Sequence, residues 1–171
     1  MDRNQAYKQI NQMVNMDIKY LAGFIDGEGW IGIARTKDIM AGGVPRYFPE
    51  CRITNTALEI LEEIRDMYGV GTHLRKVKKN KGSKEMYQLK FYGSALRKLL
   101  DDLKPHIIIK AEQLKKVTEI MNTMTFGRRK LSQEILEKRE KLYHDCRYLN
   151  TPNYVPTEAN LPILEAVRDL D

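Results

Sequence analysis

The chain has 171 residues, 42% hydrophobic and 30% charged, with 29 Lys plus Arg against 23 Asp plus Glu and a formal net charge of +6. These proportions exclude a disordered, collagenous or disulfide-built chain and fit one globular domain, large enough to bury roughly two-thirds of the surface its unfolded form exposes. The longest aliphatic run, Ile107 to Ile109, is far short of the ~20 residues of a membrane helix, and the first fifteen residues lack the apolar stretch of a secretory signal.

An intracellular protein is therefore expected, in cytoplasm or nucleoid, or in an organelle stroma or matrix if organelle-encoded, with no membrane partner. Cys51 and Cys146 are too far apart in sequence, and too isolated from any paired Cys or His pattern, to suggest structural zinc; they read as packing residues of a reducing compartment. The pI near 9.2 fits an anionic partner, and the distribution of charge says more than its total. Arg75, Lys76, Lys78, Lys79, Lys81 and Lys84 follow one another with no acid among them.

In chain order, residues 1–14 read as a polar, weakly amphipathic extension ahead of a single domain over 15–171. A helix follows, capped by Asn15 and carrying Ile18, Leu21, Ala22 and Ile25 at the i, i+3, i+4, i+7 spacing, and it ends near Gly27 or Gly29. From Trp30 the period shortens to two, with Ile31 and Ile33 on one face. After a turn at 41–43, a strand from about Arg46 to Thr54 places Tyr47, Cys51 and Ile53 inward and Arg46, Phe48, Glu50 and Arg52 outward, with Pro49 marking a bulge or an edge.

A helix from Ala57 to Tyr68 comes next, then a second hairpin, 73–79 and 86–92, which carries the basic cluster. Further helices are expected over 94–103, 110 to about 124 and 132–143, before a proline-broken tail with a short turn at 164–170. The order helix, hairpin, helix, hairpin, helices predicts an α+β fold: a four-stranded antiparallel sheet with helices on one face and the other face open.

The segment LAGFIDGEG, Leu21 to Gly29, is unusual for a helix. Gly23 and Gly27 lie one turn apart, each costing about 1 kcal/mol against Ala, a device that lets a second backbone approach closely. Asp26 and Glu28 then place carboxylates at the end of the helix where carbonyl oxygens already carry partial negative charge, an arrangement that a cation such as Mg²⁺ would offset.

This segment resembles the signature of the LAGLIDADG homing endonucleases, with six of nine letters identical and Phe24, Gly27 and Glu28 as conservative changes. The stretch Ile53 to Thr56, leading to a helix ending Tyr68-Gly69-Val70-Gly71, resembles the family's second strand and following helix. Leu103 to Lys110 resembles its approach to a catalytic lysine, so the likeness covers roughly residues 16–125. It implies the αββαββα fold with a saddle-shaped sheet, a core over about 15–125 and a C-terminal helical extension over about 126–171.

It further implies a site-specific endonuclease of the intron-homing kind, cutting both strands of a long pseudo-palindromic DNA target with Mg²⁺, for which Mn²⁺ or Ca²⁺ substitutes in binding. Glu28 would be the metal carboxylate and Gly27 a carbonyl ligand, Asn55 would position water, Lys110 would polarise it, and Asp26 would terminate the helix rather than bind metal. One copy of the signature implies a homodimer through Leu21, Gly23, Phe24 and Gly27. The open sheet face would enter the major groove, with Arg46, Arg52, Arg75, Gln88 and Lys90 toward base edges and Lys78, Lys79 and Lys81 toward phosphates.

Each of these residues has a plainer reading. Asp26 and Glu28 alone are solvated helix-end acids, Lys110 a surface lysine at a helix start, Asn55 an N-cap, and the lysine-rich hairpin a protected sheet edge. Trp30 reads as a partly buried core residue before a base-stacking platform, and His73, His106 and His144 show no ligand spacing. The rival function is a non-cleaving nucleic-acid-binding protein on the same fold, an intron RNA maturase or a DNA-binding regulator. Retention of Glu28, Lys110 and Asn55 together favours the enzyme, and binding of its own intron RNA stays open beside it.

Overall fold

The computed structural model of the chain describes residues 16–37, 45–77, 84–124, 131–151 and 153–154. The expected extension over 1–14, the turn at 41–43, Lys78, Lys79, Lys81 and the turn at 164–170 lie outside the described residues. Helix α1 (Ile18–Glu28) is capped by Asp17, whose carboxylate accepts the Lys19 N–H at 3.0 Å. The cap is thus not the expected Asn15: the acid directly before Ile18 can satisfy an amide of the first turn and complement the positive end of the helix dipole. Leu21, Ala22, Ile25 and Asp26 form the buried side.

Strand β1 (Gly29–Lys37) begins with no intervening loop. Gly29 makes that junction possible, because a Cβ there would lie 2.7 Å from the Ile25 carbonyl oxygen. Strand β2 (Pro45–Asn55) pairs antiparallel with β1 over its length, Gly29 opposite Ile53 and Lys37 opposite Pro45. Strands β3 (Thr72–Lys76) and β4 (Tyr87–Phe91) form the second hairpin, and β2 joins β4, giving the order β1-β2-β4-β3. Pairing of β2 with β4 starts only at Cys51. Pro49 therefore sits where β2 has a single neighbour, an edge rather than a bulge, and its missing N–H removes no bond to β4.

Helices α2 (Leu58–Tyr68), α3 (Gly93–Leu103) and α4 (Ala111–Asn122) follow the apolar periodicity closely. They cover the inner sheet face, where Ile31, Ile33, Cys51, Ile53, Leu89 and Phe91 meet the fully buried Leu61, Ile64, Leu96 and Leu99 in one core. Helix α5 (Gln133–Asn150) runs seven residues beyond the expected end at Tyr143. Its buried side continues through Cys146 to Asn150, whose amide donates to the Ile31 carbonyl at 2.9 Å; polar neighbours such as Asp145 and Arg147 obscure that periodicity. No helix among the described residues is long and apolar enough to cross a membrane.

Helix α5 is fastened to the first hairpin by a buried ionic cluster. Glu140, 5% exposed, accepts hydrogen bonds from the Arg35 guanidinium and the Tyr47 hydroxyl and meets His144 Nε2 at 2.8 Å. Burial first, and the Glu140 carboxylate second, hold the Tyr47 hydroxyl far above its ordinary pKa, so it remains a donor throughout the physiological range.

Glu140→Ala would leave Arg35 charged and unpaired in the interior, with an expected loss of about 3–5 kcal/mol in urea unfolding. Removal of the surface pair between Lys138 and Glu119, 3.1 Å apart, should shift stability by less than about 1 kcal/mol. Equal losses from both would contradict the anchoring role. Burial pushes the thiols of Cys51 and Cys146 up to about 12. Neither should react with a thiol reagent at pH 8 until denaturant unfolds the chain.

Candidate nucleic-acid interface and catalytic end

Because α1 enters β1 directly, the acids near its end are held by both helix and sheet. Their surroundings differ sharply. Asp26 is buried and accepts the backbone N–H groups of Ile108 at 2.8 Å, Ile109 at 3.2 Å and Lys110 at 3.0 Å. Its own carbonyl accepts from Lys110 Nζ. Instead of merely terminating α1, Asp26 lies within it and ties down the turn that precedes α4. Glu28 is exposed and makes no hydrogen bond or ion pair among the described residues.

The carbonyl of Gly27 belongs to the last turn of α1, where helix carbonyls lack intrahelical partners. Lys110 is brought to this same end, and its charge reaches Cys51, where it partly offsets the effect of burial on the thiol. Asn55 ends β2, two residues beyond the Ile53 that faces Gly29. Its Oδ1 accepts the Ala57 N–H at 3.0 Å, which stabilises the turn into α2. The structure therefore joins Lys110 to the end of α1 directly, whereas Asn55 shares that end through strand register alone.

A divalent cation fits this end only in part. Among the described residues no cluster of three or more His, Cys, Asp or Glu side chains is placed to hold a metal. One unpartnered carboxylate with a helix-end carbonyl is too few donors for a closed site, yet suits Mg²⁺, which keeps waters and takes oxygens from a bound phosphate.

The outer side of α1 presents Tyr20, Gly23, Phe24 and Gly27, with the Tyr20 and Phe24 rings stacked at 6.2 Å. A Cβ added at either glycine would meet nothing within 4 Å. Packing among the described residues does not require their smallness. Leu21, expected at this surface, is fully buried because it lies on the opposite side of the helix; it belongs to the core and offers nothing to a second copy. Tyr20, not foreseen, takes its place on the exposed stripe at the helical spacing.

The open face of the sheet carries Arg46 and Arg52 from β2, Arg75 from β3, and Gln88 and Lys90 from β4, as period-two alternation requires. The Arg75 guanidinium donates to Gln88 Oε1 at 3.0 Å, and the Gln88 amide donates to Thr54 Oγ1 at 3.2 Å, a chain of contacts across three strands. Trp30, Arg52 and Lys90 form one cross-strand row. Trp30 is not a core residue: its ring lies over Gly32, where a Cβ would fall 2.3 Å from a ring carbon, and the Arg52 guanidinium stacks on it at 4.3 Å. The signal was present in parity, since Trp30 shares its strand face with Gly32 rather than with Ile31.

No family model and no curated protein matches the sequence, but solved structures match its fold. The homing endonuclease I-TnaI is 25% identical over 90% of this chain and 99% of its own, with a TM-score of 0.68. The archaeal intron-encoded homing endonuclease I-Vdi141I, solved in complex with DNA, is 24% identical over 90% and 97%, with a TM-score of 0.71. This chain has the LAGLIDADG homing-endonuclease fold. The homing endonuclease I-CvuI, solved with uncleaved target DNA and 2 mM Mg, is similar at 21% identity, a TM-score of 0.71, and 90% and 93% coverage. The agreement in fold extends over nine-tenths of the chain, beyond the signature helix.

Within the LAGLIDADG fold, Asp26 links the signature helix to the turn carrying Lys110. Asp26→Ala would strand three backbone donors, and an expected cost of at least about 3 kcal/mol in denaturant unfolding follows from leaving buried groups unsatisfied. A loss below about 1 kcal/mol would show that the turn finds other partners.

Proposed function

We propose that this chain is a site-specific endonuclease that binds double-stranded DNA as a homodimer and hydrolyses one phosphodiester in each strand. The observation that carries the reading is the contrast between the two signature acids. Asp26 is consumed by structure, whereas Glu28 stands exposed and, among the described residues, unpartnered at the helix end to which Asp26 ties Lys110. The two glycines on the outer side of that helix meet none of the described side chains. A surface acid in an electrostatically unfavourable position, at a helix C-terminus, calls for an external cation. The DNA complexes of I-CvuI and I-Vdi141I support duplex binding by the same fold.

On this reading Glu28 and the Gly27 carbonyl hold a divalent ion, which supplies charge neutralisation at the scissile phosphate and lowers the pKa of water. Lys110, fixed at both its backbone and its side chain by Asp26, presents a positive charge to the attacked phosphate or to the attacking water. Asn55 keeps its amide N–H₂ available, since only its Oδ1 is used in the turn, and can donate to that water. The glycines at positions 23 and 27 allow two α1 helices to approach closely, so that two copies of Glu28 reach opposite strands. Arg46, Arg52, Arg75, Gln88 and Lys90 face the major groove, and Lys78, Lys79 and Lys81 are assigned to phosphates.

Glu28→Gln is expected to abolish cleavage while duplex affinity stays within about threefold, as measured by gel assay and fluorescence anisotropy on the same preparation. Joint loss of binding and cleavage would make Glu28 structural, and retained cleavage would remove it from the reaction. The binding constant should fall with salt along a steep log–log line, because several phosphate contacts each release counterions. Gly23→Leu should shift sedimentation from dimer to monomer and remove double-strand cleavage together; a monomer that cuts both strands would overturn the dimer.

A further inference from the structure

The open face carries one acid that duplex binding would not be expected to tolerate. Among its described residues Glu50 alone is negative, and it stands in the middle of the face rather than at the rim. It is only 9% exposed. Its Oε1 accepts from Arg52 Nε at 2.8 Å and from the Nη2 group of the same side chain, while Oε2 accepts from Lys90 Nζ at 3.4 Å.

The guanidinium is thus gripped along its Nε–Nη2 edge and supported from beneath by the Trp30 ring, which in turn rests on Gly32. Of the five N–H bonds of an arginine, two are occupied by Glu50. The remaining parallel pair, one on Nη1 and one on Nη2, lies at the far end of the fork. A fork of two parallel N–H bonds matches guanine O6 and N7 in the major groove.

We propose that Glu50 is a positioning residue for sequence readout: it locks Arg52 against Trp30 so that Arg52 presents only its end-on edge, and thereby selects guanine at one base pair of each half-site. This rests on the open face being the duplex-binding surface. The same carboxylate lowers the general attraction of the face for phosphates, so it exchanges affinity for discrimination. An unrestrained Arg52 could instead swing to any nearby phosphate, and a face of cations alone would bind all sequences more tightly.

The test uses the full-length chain and two probes, a duplex of arbitrary sequence and a randomised duplex library from which bound sites are selected and sequenced. Wild-type protein should select guanine at one symmetric pair of positions. Glu50→Gln should bind the arbitrary duplex several-fold more tightly at low salt, yet lose about tenfold in preference for guanine at that pair alone, within the range for one bidentate contact. Arg52→Lys, which keeps the charge but not the fork, should lose the same preference, and the double variant should lose no more than either single change.

Unchanged base preference in Glu50→Gln would overturn the inference, as would equal weakening on every sequence, the mark of a merely structural acid. Wild-type protein that binds no duplex would overturn the reading of the face itself, a result distinguishable because no variant is then involved.

Discussion

The junction between α1 and β1 is the constraint on which the arrangement depends. A helix ordinarily leaves its sheet through a loop, which lets the last helical side chains adopt several positions. Here Gly29 is the last turn's partner and the first strand residue at once: its N–H caps the Ile25 carbonyl, and its backbone is already extended and paired opposite Ile53. Glu28 is consequently fixed relative to the sheet by covalent geometry. Asp26 extends the same rigidity to a part of the chain more than eighty residues away, since its carboxylate holds the turn before α4. Sheet, signature helix and Lys110 thus form one unit without any long loop among them.

That rigidity explains why the two acids that flank Gly27, both at a helix end where acids are disfavoured, persist in opposite environments. The unfavourable interaction of Asp26 with the helix dipole is offset by three backbone N–H groups that donate to its carboxylate, while the Lys110 ammonium donates to its carbonyl. Glu28 has no such compensation among the described residues. The open face repeats the pattern at a larger scale. Glu50 is satisfied by Arg52 and Lys90, and in satisfying it these cations lose freedom that they would otherwise spend in solvent. In both places an acid orders a cation, and on the proposed reading the cation has the outward role.

Much of this was legible in the sequence where one periodicity dominated. The apolar spacing of α2, α3 and α4 and the alternation in β2 gave the elements and the faces, and the glycine pair with its flanking acids located the end of α1. What escaped notice has a common cause: the information lay in pairs distant in sequence. Asp26 and Lys110 are linked only once α3 has returned the chain to the end of α1. Glu50 reads as an ordinary outward residue until Lys90 is placed beside it by register. The length of α5 was hidden because its inward residues after Tyr143 are Cys146 and Asn150, which no hydrophobic pattern marks. Leu21 was misplaced for a simpler reason, since four residues of one helical motif were assigned to one surface when 3.6 residues per turn divides them between two.

The glycines of α1 carry the argument beyond the single chain. A helix with Gly23 and Gly27 on its exposed side is less stable than one with alanines by about 1 kcal/mol per site, and nothing within 4 Å of either position would be disturbed by the larger residue. Tyr20 and the exposed part of Phe24, stacked on the same stripe, add apolar surface that water solvates poorly. Both features are unfavourable in isolation and both become favourable when a second helix covers the stripe, because small residues permit backbone contact and the rings are removed from solvent. The same approach would carry each Glu28, rigidly set at the end of α1, toward its counterpart. On the proposed reading dimerisation and cleavage depend on one surface, so a substitution that separates the helices should also separate the carboxylates, even though it leaves every residue assigned to the scissile phosphates unchanged.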